Sequence, residues 1–137
     1  MTIKKLLIAN RGEIASRIIS SAHDMGISCV AIYTEADKDT PYVREADQAF
    51  KLSDSYLNSK EILDIALKSN SDAIHPGYGF LSENAAFANQ VKKLNIKWVG
   101  PSSNAIKKMG DKLTAKEIAI KANVPTLPMT SDPKKAN

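Results

Sequence analysis

The densest run of chemically capable residues is His75-Pro76-Gly77-Tyr78-Gly79-Phe80-Leu81-Ser82-Glu83-Asn84. Two glycines within three residues permit positive φ or close backbone approach, and Tyr78 between them offers a ring and a hydroxyl. Ser82 is placed to cap the following helix. Two readings stand side by side: a loop built to meet a ligand, or a tight strand-to-helix turn with Tyr78 and Phe80 packed on the core. Gly110-Asp111-Lys112 is the second candidate. A lysine in a first helical turn opposes the helix dipole, so either a phosphate meets Lys112 or the side chain is simply solvated. The third is Ala9-Asn10-Arg11-Gly12-Glu13, a first strand-to-helix turn. Dinucleotide binding there needs G-x-G-x-x-G, so that the backbone can approach a pyrophosphate. One glycine stands where three are needed, and Glu13 sets a carboxylate where phosphate would lie. That reading fails, and Glu35, at about the distance of a ribose-binding acid, loses its support.

Arg17 falls outside the apolar stripe of its helix, as a solvated or an interface arginine. His23 lies on a helix flank, His75 ends a strand, and Cys29 sits mid-strand as inert core. No ligand spacing and no trio of nucleophile, base and orienter stands out, so neither a metal site nor a catalytic residue is predicted. Cys29 is the single cysteine, which excludes an internal disulfide framework and fits a reducing, cytoplasmic compartment. The charge of +4, from 19 Lys plus Arg and 15 Asp plus Glu, is dispersed and gives no nucleic-acid footprint. No apolar run approaches the ~18 residues of a membrane span. Met1–Lys5 leads into a run too short for a signal-peptide core, and no transit peptide is expected.

These residues must be positioned by a regular alternation. Short runs, uniformly apolar at their centres, recur at Lys4–Ala9, Ser28–Tyr33, Gln48–Leu52, Asp72–His75 and Lys97–Gly100. Such runs read as strands buried on both faces of a parallel sheet. Ile14, Ala15, Ile18, Ile19, Ala22 and Met25 make one helical stripe, stopped by Gly26. A second helix opens at Asn58 with Glu61 in capping-box position. A third opens at Ser82 and buries Ala86 or Phe87, then Val91 and Leu94, and a short one follows Pro41. The fold class is α/β, a Rossmann-like doubly wound parallel sheet with trailing helices. The trailing part holds helices over Ser103–Met109 and Asp111–Ala122, the extended Val124–Pro128, and a polar end.

Ile8–Ala15, Ser55–Asn58, Ala73–Asn84, Val99-Gly100-Pro101 and Met109–Lys112, in this order and spacing, resemble the biotin carboxylase family over essentially the whole chain. The resemblance implies a pre-ATP-grasp domain over residues 1–101 and a helical linker over 102–137 into an ATP-grasp domain. It implies an ATP-dependent ligase that uses ATP, Mg²⁺ or Mn²⁺ and bicarbonate to carboxylate biotin on a carrier domain. The partners it implies are the ATP-grasp and C-terminal domains, the biotin carboxyl carrier, a carboxyltransferase and a second copy in a homodimer. By resemblance Lys112 reaches ATP, Tyr78 and Gly79 face the biotin and bicarbonate pocket, and Arg17 lies near the dimer interface. Arg11 and Glu13 hold the first turn together. The family's lid, metal-binding glutamates and catalytic residues have no counterpart in these 137 residues. The chain is therefore expected to be inactive alone, as the first third of an enzyme; the alternative is a non-catalytic module that pairs or complements in trans. The acyl acceptor is not readable, because a separate component selects it. A mitochondrial matrix location is the eukaryotic variant of the cytoplasmic expectation.

Overall fold

The five apolar runs become β1 (Lys5–Ile8), β2 (Ser28–Tyr33), β3 (Gln48–Lys51), β4 (Ala73–His75) and β5 (Lys97–Trp98) in the computed structural model, which describes residues 3–100 with Ala105 and Ile106. Of the helix predicted over Ser103–Met109, Ala105 and Ile106 are described and are helical; the Asp111–Ala122 helix, the Val124–Pro128 segment and Lys112 lie outside the described residues. The strands join one sheet in the order β3-β2-β1-β4-β5, and every pairing is parallel. Parallel neighbours need crossovers, supplied by α1 (Gly12–Asp24), α2 (Pro41–Glu45), α3 (Ser59–Lys68) and α4 (Ala85–Lys93).

Strand side chains alternate between two cores. Leu7, Val30, Ile32 and Ile74 pack with Ile62 and Ala66 of α3 and Phe87 and Val91 of α4. Leu6, Ile8, Cys29 and Ala31 face Ala15, Ile19 and Ala22 of α1 and Tyr42 of α2. Helices therefore cover both faces, which is why the central strands are apolar on both. The predicted doubly wound sheet is observed.

Three local expectations change. β3 is an edge strand with Gln48 and Ala49 exposed, rather than buried on both faces. The third helix does not open at Ser82. Phe80–Glu83 forms a 3-10 turn, and α4 begins at Ala85, capped by Asn84, whose Oδ1 accepts from Phe87 N at 3.0 Å. Leu94, expected in the core, is the exposed C-cap residue of α4, while Ile96 turns inward after the left-handed Asn95.

Elsewhere the local chemistry follows the sequence. Gly26 takes φ +76° just past α1, the left-handed stop that glycine adopts at little cost. Asn58 Oδ1 accepts from Glu61 N at 3.1 Å, as a cap should. The Glu61 carboxylate does not return to complete the capping box; it accepts from Ser53 N and Ser53 Oγ and ties the chain leaving β3 to α3.

Candidate functional site

β1 and β4 lie side by side, yet their chains leave in opposite directions. β1 feeds α1 toward β2, and β4 feeds α4 toward β5. Open α/β sheets bind ligands at this divergence, beyond the C-terminal ends of the strands. The two loops there are Ala9–Arg11 and Pro76–Gly79.

Asn10 joins them. Its side chain is buried, and Nδ2 donates to Pro76 O at 2.8 Å and to Tyr78 O at 2.7 Å, while Oδ1 accepts from Arg11 N at 2.8 Å. One amide thus spans the divergence with both donors and its acceptor used. Gly77 makes the approach possible: it has φ +67°, and a Cβ there would stand 2.6 Å from Asn10 Nδ2. Gly77 N also donates to His75 Nδ1 at 3.0 Å. Burial lowers the His75 pKa, so the neutral ring carries its proton on Nε2.

Pinned in this way, the loop turns Tyr78 outward, and its side chain is 79% exposed. Phe80 is 41% exposed and only leans on Tyr56, with ring centroids 5.5 Å apart. Of the two readings of this stretch, the core-packed turn is not what the chain adopts. Gly79 has φ +68° and open space where a Cβ would stand, so backbone is presented beside the Tyr78 ring.

Arg11 and Glu13, expected to hold the first turn together, act through separate partners. Arg11 reaches across to Asp37, with Nε–Oδ2 at 2.6 Å and Nη2–Oδ1 at 2.7 Å, a bidentate pair. Asp37, 4% exposed, also accepts from the Tyr56 hydroxyl. That hydroxyl accepts from Thr34 N and lies 2.7 Å from the Tyr42 hydroxyl, which donates to Ile32 O. The Arg11 guanidinium holds the Asp37 carboxyl below its ordinary range against the opposing effect of burial, and Asp37 in turn raises Arg11. Burial raises the Tyr42 phenol. A buried carboxylate satisfied in this way stiffens the start of α1 against β2. Glu13 instead pairs with Arg17 one turn along, at 3.1 Å, both exposed.

Tyr78 and Arg17 share a surface. With His75, Glu13, Ile14, Ile18 and Met25 they line a groove of about 670 Å³ along α1. Two of the residues singled out by sequence therefore line one groove, and Gly79 belongs to the same loop as Tyr78. Sequence reasoning missed Asn10 and Asp37, whose partners lie 66 and 26 residues away. The signal for Asn10 was a polar residue directly after an apolar strand at the divergence. Nor did local spacing show that His23, Cys29 and Asp47 meet at the opposite edge of the sheet.

The family description "Biotin carboxylase, N-terminal domain" matches residues 2–106. The chain belongs to that family. "Biotin carboxylase 1" of Bacillus subtilis (strain 168) is 53% identical over 131 residues, covering 92% of this chain and 29% of the relative. "Biotin-dependent acyl-coenzyme A carboxylase alpha3 subunit" of Mycobacterium leprae is 51% identical over 138 residues, covering 97% of this chain and 23% of the relative. Among solved structures, the biotin carboxylase domain dimer of Hydrogenobacter thermophilus 2-oxoglutarate carboxylase, in complex with MgADP, ADP and bicarbonate, superposes with TM-score 0.80 at 42% identity. That alignment covers 99% of this chain and 32% of the solved one. The chain thus spans under a third of the length of each of these biotin carboxylase relatives. Among the described residues, no helix is long and apolar enough to cross a membrane.

Proposed function

We propose that the chain serves as the N-terminal domain of an ATP-dependent biotin carboxylase, the ligase that carboxylates carrier-bound biotin from bicarbonate. The observation that carries this reading is the Asn10-pinned loop at the sheet divergence, which offers the exposed Tyr78 ring and the open backbone of Gly79 to a neighbour. A flat ring beside unobstructed backbone suits a bicyclic urea such as biotin, which has an apolar body and a polar edge. ATP, when bound, supplies the phosphoryl group that activates bicarbonate, and Lys112 is assigned to meet its phosphates. Phosphoryl transfer needs metal and cationic clamps on the moving group. The described residues at the loop offer none, so turnover is assigned to the chain acting together with an ATP-grasp domain and a C-terminal domain. Arg17, on the wall of the groove along α1, is assigned to a dimer interface.

The test is Tyr78→Ala in the full-length carboxylase that carries this sequence. Tyr78 touches little of its own fold, so stability should stay within ~0.5 kcal/mol. Biotin-dependent ATP cleavage should show a KM for biotin raised about tenfold, since losing a stacked ring costs ~1–1.5 kcal/mol. An unchanged KM for biotin with unchanged kcat would remove Tyr78 from the pocket.

A further inference from the structure

We propose that His23, Cys29 and Asp47 form a binding site for a borderline-soft divalent cation of the zinc type. The three come from the last turn of α1, the start of β2 and the residue entering β3, at the sheet edge opposite the Tyr78 loop. Their ligand atoms all lie within 4.8 Å of one another. His23 Nε2 is 2.8 Å from Asp47 Oδ2, and Cys29 N donates to the same oxygen at 2.7 Å, which holds the carboxylate beside the thiol. Bonds of ~2.0–2.3 Å put the ligand atoms of a tetrahedral ion ~3.3–3.8 Å apart. The cluster is therefore within ~1.5 Å of that geometry at its widest, by the same bond lengths. His23 and Asp47 are both partly exposed and can rotate by this amount.

The Cys29 thiol is buried and has only long contacts, at 3.9 Å and 4.0 Å, to the carbonyls of Ile27 and Ile19. A metal has no short hydrogen bond of the sulfur to displace. On binding, the S–H bond breaks, the S–metal bond forms and the proton passes to solvent. One sulfur, one imidazole and one carboxylate exclude the hard ions Mg²⁺ and Ca²⁺, which want all-oxygen shells. Three protein ligands leave a fourth position for water.

The test is titration of the untagged 137-residue chain with Co²⁺ as spectroscopic probe, followed by displacement with Zn²⁺. A near-ultraviolet sulfur-to-cobalt charge-transfer band should appear, saturate at one ion per chain and vanish on zinc addition. Cys29→Ala should lose the band, and His23→Gln, at an exposed position that does not endanger folding, should weaken cobalt affinity tenfold or more. Absence of the band from the folded wild-type chain at saturating cobalt would show a metal-free clasp and overturn the proposal. So would a band of equal affinity in His23→Gln.

Discussion

Replacing Gly77 by alanine probes the contact on which the site loop depends. Two separate costs arise. The backbone stays at φ +67°, where a Cβ costs roughly 1–2 kcal/mol. The new Cβ also stands 2.6 Å from Asn10 Nδ2 and 3.0 Å from Ile14 Cγ2. Asn10 cannot yield without giving up a bond to Pro76 O or Tyr78 O, and a buried donor left unpaired costs about 1–3 kcal/mol. Together these come to about 2–5 kcal/mol. Gly26 supplies the internal reference, with φ +76° and nothing within 4 Å of its would-be Cβ. Gly26→Ala should therefore show the backbone cost alone. Urea unfolding of both variants isolates the difference, expected at about 1–3 kcal/mol, or ~4 °C or more in Tm for a domain of this size. The double variant Asn10→Ala/Gly77→Ala should cost less than the sum of its single changes, because the clashing amide is gone. Equal destabilisation by Gly77→Ala and Gly26→Ala would refute the close approach.

Tyr56→Phe should destabilise by about 2–3 kcal/mol in urea unfolding, because Asp37 loses a donor and Thr34 N an acceptor while the ring shape is kept; a loss under ~0.5 kcal/mol would deny the network that weight. Asp37 and Asp47 are held below their ordinary carboxyl range, and the Lys38 and Lys51 partners draw Glu35 down to about 2. Folded values below the unfolded ones of ~3.9–4.3 mean that the unfolded chain binds more protons, so this stabilisation is full above pH ~5 and is lost as pH falls toward 2. His75, kept neutral by burial, adds a gentler loss starting near pH ~6.5. The urea midpoint followed against pH should fall less steeply below pH ~4 in Asp37→Asn than in the wild type. Asn84→Ala should cost about 1 kcal/mol and Ser82→Ala under half of that, and the reverse order would return the cap of α4 to Ser82.

What the sequence disclosed, and what it withheld, divides along physical lines. Leu6–Ile8 and Cys29–Ile32 were legible as strands because both faces are covered, leaving no polar alternation. The edge position of β3 was not, because exposure of Gln48 and Ala49 depends on which strands flank them, not on their own residue types. Ser82 and Asn84 are both good cap residues, and the choice fell to backbone geometry. Phe80 takes φ +50°, and the 3-10 turn uses up Ser82 before the helix begins. The Tyr78 loop stood out through its own glycines. Its support did not, since Asn10, Asp37 and Tyr56 act through partners tens of residues away, and no local pattern marks such pairs.

The Asn10 bridge has a bearing on the order in which the molecule assembles. Its acceptors lie 66 and 68 residues further along the chain. The loop they define takes its shape only when β1 and β4 pair, a pairing that closes a stretch of chain containing β2, β3 and their crossovers. Ordering so long a segment is paid before the contact returns anything. The Tyr78 surface thus depends on native pairing of β1 with β4, and it reports on the register of those two central strands. A nascent or partly unfolded chain presents no such surface, so a docking domain that recognises it meets only molecules whose central strands are already in register.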